Sequence, residues 1–173
     1  FRFAALSGWR DILADAVSDA LGRRVTISGE FDPEIGRTIR ITAGEITVAN
    51  ADWSDEPVML SVDHLVVELD LLSLLLGPPS VSEVRVEGAR ALLEKSSDGR
   101  SNWQLDATTG TGDPRGPLEL ELGRLSAMGL TLVYRDPKRS TLVELVVSRL
   151  SCAADRTGML DLSLTGDLQD REL

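Results

Sequence analysis

The chain has 173 residues, a formal net charge of -10 and a sequence pI near 4.6. It is long enough for one domain burying roughly 70% of the surface its unfolded form exposes, with no need of a disulfide or metal to fold. That acidity repels polyphosphate backbones and anionic headgroups, which argues against nucleic-acid binding and against flat electrostatic adsorption to a membrane, so any lipid contact must run through apolar surface.

From position 6 to 21, Leu6, Trp9, Ile12, Leu13, Ala16, Val17, Ala20 and Leu21 recur at three- and four-residue spacing, with Arg10, Asp11, Asp15, Ser18 and Asp19 between them. This predicts an amphipathic helix, capped at its start by Ser7 and ended by Gly22, with Arg23 and Arg24 where a helix C-terminus favours positive charge. The polar face is acidic, unlike that of helices lying in a membrane interface, so the helix is expected to pack across a sheet and close one end of its apolar face.

Beyond Gly22 the period changes to two. Val25, Ile27 and Phe31 alternate with polar residues, followed by Ile39 and Ile41, then Ile46 and Val48. Val84 and Val86 are separated from Ala91 and Leu93 by Gly88; later come Leu118 to Leu122, Leu130 to Tyr134, Val143 to Val147 and Leu160 to Leu164. About ten strands joined by short connections predict a mainly β (α+β) fold: one curved, mostly antiparallel sheet with one apolar face.

Between these strands, the compact Leu-rich stretch 70–77 ends in Pro78 and Pro79 and reads as a short plug helix at one end of the sheet. Glycines and prolines among threonines at 107–117 read as a flexible linker between a first portion, 1–106, and a second sheet portion, 118–173, of a single domain. The two portions are related: Ile41-Thr-Ala-Gly-Glu-Ile-Thr-Val aligns with Leu125-Ser-Ala-Met-Gly-Leu-Thr-Leu at an offset of about 84 residues. The opening Phe1 and the polar close at 169–173 read as a piece of something longer, and no apolar run of about 18 residues is present to span a bilayer.

Several phrases, in order, resemble the AsmA family of bacterial envelope proteins: Leu21-Gly-Arg-Arg-Val25, Val48-Ala-Asn-Ala-Asp-Trp-Ser54, Leu69-Asp-Leu-Leu-Ser-Leu-Leu-Leu-Gly77, Val84-Arg-Val-Glu-Gly88, Leu93-Glu94 and Asp98-Gly-Arg-Ser-Asn-Trp103. Leu130-Thr-Leu-Val-Tyr-Arg-Asp136 is similar to the family's next segment. The resemblance implies an inner-membrane anchor upstream and a location on the periplasmic side of that membrane. It also implies a curved sheet similar to the grooves of bridge-like lipid-transfer proteins, serving phospholipid transport and outer-membrane homeostasis.

The residues themselves add a mismatch: much apolar β-surface and one clear amphipathic helix to cover it. Ile41, Ile46, Val48, Val84, Val86, Leu93, Leu130 and Leu132 are the expected lining of a groove for phospholipid acyl chains. The other expected partners are the remainder of the same chain and, through sheet edges, other proteins.

Enzymatic readings have little support. His64 follows Asp63, but neighbours on a strand point to opposite faces and cannot form a hydrogen-bonded dyad. Asp52, Asp55 and Glu56 lack the spacing and turn glycine of a calcium loop, and Gly110, Gly112 and Gly116 lack the strand-to-helix setting of a phosphate cradle. No catalytic residue, metal or cofactor is expected. Trp53 and Trp103 are expected to fill gaps at element ends, and Cys152, the only cysteine, to be a small buried hydrophobe.

Overall fold

The computed structural model describes residues 2–76, 80–104, 121–154 and 160–172. The helix α1 (Arg2–Leu21) leads to β1 (Val25–Ile27), β2 (Phe31–Ile35), β3 (Thr38–Ala49) and β4 (Val58–Asp70), then to a short helix α2 (Leu71–Leu76). There follow β5 (Ser80–Glu94), β6 (Glu121–Asp136), a 3-10 turn (Pro137–Arg139), β7 (Thr141–Ala154) and β8 (Leu160–Glu172).

The predicted stop of α1 is where it was expected. Gly22 takes φ 61°, and the Arg23 N–H donates to the Ser18 carbonyl at 3.2 Å, the six-to-one bond that closes a helix through a left-handed residue. The predicted start is corrected: α1 begins at Arg2, so Ser7 lies inside the helix and caps nothing. The plug helix is also present, its first turn held by Asp70, whose carboxylate accepts from the amides of Leu72 (2.8 Å) and Ser73 (3.0 Å).

All eight strands join one open sheet in the order β1-β3-β4-β5-β6-β7-β8, with β2 also paired to β3. Pairing is antiparallel except at β5 and β6, which run parallel from Ser80 beside Glu121 to Glu94 beside Arg135. The sheet thus consists of two antiparallel three-stranded units, β3-β4-β5 and β6-β7-β8, pointing the same way and joined by a parallel seam. The sheet is continuous across that seam; the expected linker at 107–117 lies outside the described residues.

Against about ten expected strands, the described residues form eight, because pairs of half-strands are single long ones. Ile39 to Val48 all belong to β3, and Val84 to Leu93 all belong to β5. What separates the halves is a crease running across the sheet. Glu45, Gly88 and Gly129 take φ of 51°, 61° and 65°. In the pairing registers they stand level with Asp63 on β4 and Ser148 on β7, and none of the five makes a ladder pair.

A left-handed residue in a strand shifts the alternation of side chains by one, as a bulge does. Residues three apart therefore share a face across the crease: Ala43 with Ile46, Val62 with Leu65, and Val86 with Ala89 all meet in one apolar cluster. At the sheet edge the crease coincides with the break between β1 and β2. There the Gly29 amide donates to the Gly44 carbonyl at 3.1 Å, and a Cβ on Gly29 would lie 2.8 Å from the Gly44 backbone.

The core of Val25, Ala43, Ile46, Val48 and Val62 sits under the β1 side of the sheet, where Leu21 and Phe31 pack on it. Here a second expectation is corrected. The helix α1 does not lie across the sheet; it packs beside β1 and β2, and Trp9 and Ile12 remain 63% and 64% exposed. Ser18, assigned to the outward face, points inward instead: its hydroxyl donates to the Ala14 carbonyl (2.6 Å) and accepts from the Val25 amide (2.8 Å). That bond ties helix to sheet at their junction.

Candidate functional site

The apolar face of the sheet follows from register and alternation. Ile41, Val67, Val84 and Leu125 are successive neighbours on one side of the crease; Ile46, Val62, Ala89, Leu130 and Val147 are successive neighbours on the other. The next row outward is Val48, Leu60, Ala91, Leu132 and Leu145, and beyond it Leu93 stands beside Tyr134. All eight expected lining residues share this face. On a regular strand Ile41 and Ile46, five apart, would be on opposite faces, as would Val86 and Leu93; the crease unites them.

The eight are not equally available. Ile46 and Val48 belong to the buried cluster near α1 and form its floor, whereas Ile41, Val84, Val86, Leu93, Leu130 and Leu132 are half-buried. From β5 to β7 most apolar side chains on this face remain half-buried, because no described element is layered over them. The result, among the described residues, is an open, single-layer apolar face from β5 to β7.

The opposite face carries most of the charged side chains of the sheet, internally paired, with Val66 and Val133 buried among them. Arg40 pairs with Glu68 across β3 and β4, Arg85 with Glu83 at 3.0 Å, and Arg90 with Glu144 at 3.9 Å. Such exposed pairs contribute little stability each. Their consequence is orientation, since the charged side chains gather on this side and the longer apolar rows on the other.

One end of the sheet is closed by a polar knot that strand patterns did not predict. Asn102 is fully buried. Its Oδ1 accepts from the Glu94 amide (2.8 Å), and its Nδ2 donates to the Leu92 carbonyl (2.8 Å) and to Asn50 Oδ1 (3.0 Å). Asn50 Nδ2 donates to the Ser54 hydroxyl (2.9 Å), which donates to Glu94 Oε2 (2.5 Å), while Arg135 stands 3.5 Å from Glu94 Oε1. Asn50 and Ser54 come from the β3–β4 loop, Asn102 from the loop after β5, and Arg135 from β6. These are phrases quoted for the family resemblance, and their convergence is the signal that could have found the knot.

The two tryptophans flank this end. Arg100 lies 5.6 Å over the Trp53 ring, and Trp103, 38% exposed, tilts against Tyr134 with ring centres 6.1 Å apart. Trp103 therefore does not fill a core gap. Cys152 is half-buried on β7.

Other sequence candidates are placed as follows. His64 stands between Gly44 and Glu87 in the sheet, while the Asp63 carboxylate lies against Gly88, where a Cβ would collide with Oδ2. Among the described residues no group of three or more His, Cys, Asp or Glu side chains is arranged to hold a metal, and no helix is long and apolar enough to cross a membrane.

Comparison with curated proteins finds no match. The AsmA family profile matches residues 1–112, which runs from α1 through β5 and the Asn102 loop and stops short of the Leu130–Asp136 phrase. The match covers more than half of the chain and takes in Asn50, Ser54, Glu94 and Asn102 of the knot. The chain therefore belongs to the AsmA family, and with it to the envelope-associated proteins of bacteria.

Proposed function

We propose that this chain is a non-enzymatic, lipid-handling part of an envelope protein, standing on the periplasmic side of the inner membrane and tethered there through an upstream segment. Its trough shields phospholipid acyl chains while their headgroups stay in water. The observation that carries this reading is the single-layer sheet: an apolar face continuous across β3 to β7 with, among the described residues, no second layer over β5 to β7. At about 25 cal/mol per Å² of apolar surface removed from water, a bound chain gains several kcal/mol without any polar contact. Selectivity among acyl chains is expected to be weak.

Native mass spectrometry of the protein purified from cells tests the reading. Co-purifying phospholipid, lost when Val84 and Leu125 are both changed to Gln, is the expected result. A consistently lipid-free protein whose trough is covered by the rest of its own chain would overturn it.

A second reading, a module assembling through sheet edges, is favoured by one observation. The thirteen-residue β8 pairs only with β7 among the described residues, and its stretch from Ser163 to Asp167 is exposed. Lipid-independent oligomers abolished by Leu162→Pro would support that reading over the first.

A further inference from the structure

At the knotted end two clefts, each of about 480–490 Å³, meet at Arg23, Ala51 and Asp52. Arg24 lines one and Arg100 the other. In a chain with 28 acidic and 18 basic residues, cations usually find carboxylates, as the pairs on the polar face show. Yet among the described residues neither Arg23 nor Arg24 has a carboxylate oxygen within 4.0 Å. Moreover, Nε of Arg23 is buried without a hydrogen-bond acceptor. A buried charged donor left unsatisfied is costly, and a guanidinium fork matches the oxygens of a phosphate.

The helix C-terminus does not account for this. Its Ser18 carbonyl is taken by the Arg23 amide, and the Arg24 carbonyl accepts from the Ala49 amide at 2.8 Å, so backbone pairing anchors both residues and leaves their side chains to the clefts. Arg100 is already positioned, held by Asp98 at 2.7 Å and over the Trp53 ring.

We infer that Arg23, Arg24 and Arg100 form a phosphate-binding site at this end of the trough, suited to a phosphomonoester or phosphodiester group. Val25 and Val48 beside the site are buried, with Leu21 packed on them, but the row of Val48 continues through the half-buried Leu60, Ala91 and Leu132, so an acyl chain lying along that row would bring its phosphate toward the arginines. This placement rests on the lipid-handling reading; the anion site itself does not. The Asp52 carboxylate, and that of Glu56, which lines the Arg24 cleft and stands 3.8 Å from Arg135, oppose the anion and temper its affinity.

The test titrates the protein with pyrophosphate, dihexanoylphosphatidic acid and uncharged dihexanoylglycerol, following backbone amide shifts by NMR. Both phosphate probes are expected to shift amides at 22–24 and 50–54. Arg23→Gln with Arg24→Gln should weaken both by about tenfold or more, Arg100→Gln less, and Asp52→Asn should strengthen them. Dihexanoylglycerol should bind all variants alike. Tighter binding of phosphatidic acid than pyrophosphate identifies a lipid headgroup as the source, and equal binding a free phosphate.

No shift at these amides with either phosphate probe, or equal affinity in the wild type and in Arg100→Gln and the folded double variant, overturns the site. Failure of dihexanoylglycerol to perturb Val84 and Leu125, with the pyrophosphate response intact, would remove the trough reading and leave the anion site standing.

Discussion

Asn102 shows how one buried amide can organise an end of a sheet. Replacing it with Ala removes the partner of the Glu94 amide and one donor each from the Leu92 carbonyl and from Asn50 Oδ1, which keeps the Ala51 amide at 2.8 Å, and about 2–4 kcal/mol of stability should be lost in urea unfolding. Asn102→Asp should cost at least as much at neutral pH, because its carboxylate would face two acceptor oxygens. Part of that loss should return on acidification, when the protonated acid can donate one bond. Asp98, in the same loop, behaves differently. The Ser96 hydroxyl foremost, together with the Arg100 amide and guanidinium, holds its carboxyl below the usual carboxylate range against an opposing effect of desolvation. Its contribution is therefore present above the ordinary carboxylate pKa and disappears as pH falls through the lowered one. A carboxyl titration by NMR should place Asp98 below an unshielded aspartate, and Ser96→Ala should raise it.

At the scale of the strand, the crease decides which residues can share a face. Gly88→Ala forces a Cβ into a left-handed conformation at φ 61° and against the Asp63 carboxylate, whereas Gly129→Ala at φ 65° meets nothing nearer than 3.8 Å. Gly129→Ala should cost about 1–2 kcal/mol from conformation alone. Gly88→Ala should cost more, and adding Asp63→Ala should recover the excess; equal costs for the two glycines in urea unfolding would show that the Asp63 contact is immaterial. The alternation around most half-strands was legible from sequence, as were the Gly22 stop and the plug helix, whereas β4 (Val58–Asp70) was not among the expected strands. The union of the halves was not, because a single left-handed residue inverts the period-two pattern and imitates a turn; at Glu45 not even a glycine marks it. The parallel β5–β6 seam was equally hidden, since strand periodicity records a buried face and says nothing about a partner's direction. The helix misled for another reason: Trp9 and Ile12 carry the spacing of a buried stripe while remaining exposed, so amphipathic period alone did not reveal what the stripe would meet.

For the whole molecule, the repeat and the trough are one fact seen at two lengths. The offset of 84 residues superposes Glu45 on Gly129, both left-handed, so the two three-stranded units bend at the same row and their apolar faces run on as one surface. The knot at one end of this face depends on two separated loops and on residues of β5 and β6, and could not be assembled from periodicity. A face of this kind carries a thermodynamic signature. Anything that binds the folded trough and not the unfolded chain stabilises it by mass action, about 2.7 kcal/mol when free ligand reaches a hundred times its dissociation constant. Short-chain phosphatidylcholine, below its micelle concentration, should therefore raise the unfolding temperature in a concentration-dependent way. The Val84→Gln, Leu125→Gln protein should melt near the unliganded wild type yet gain little from the lipid, because the two half-buried side chains are neighbours on the open face and have little cover to lose. An equal rise in both proteins would mean that the lipid acts elsewhere, and a collapse of the variant without lipid would mean that this face is packed core instead of a trough.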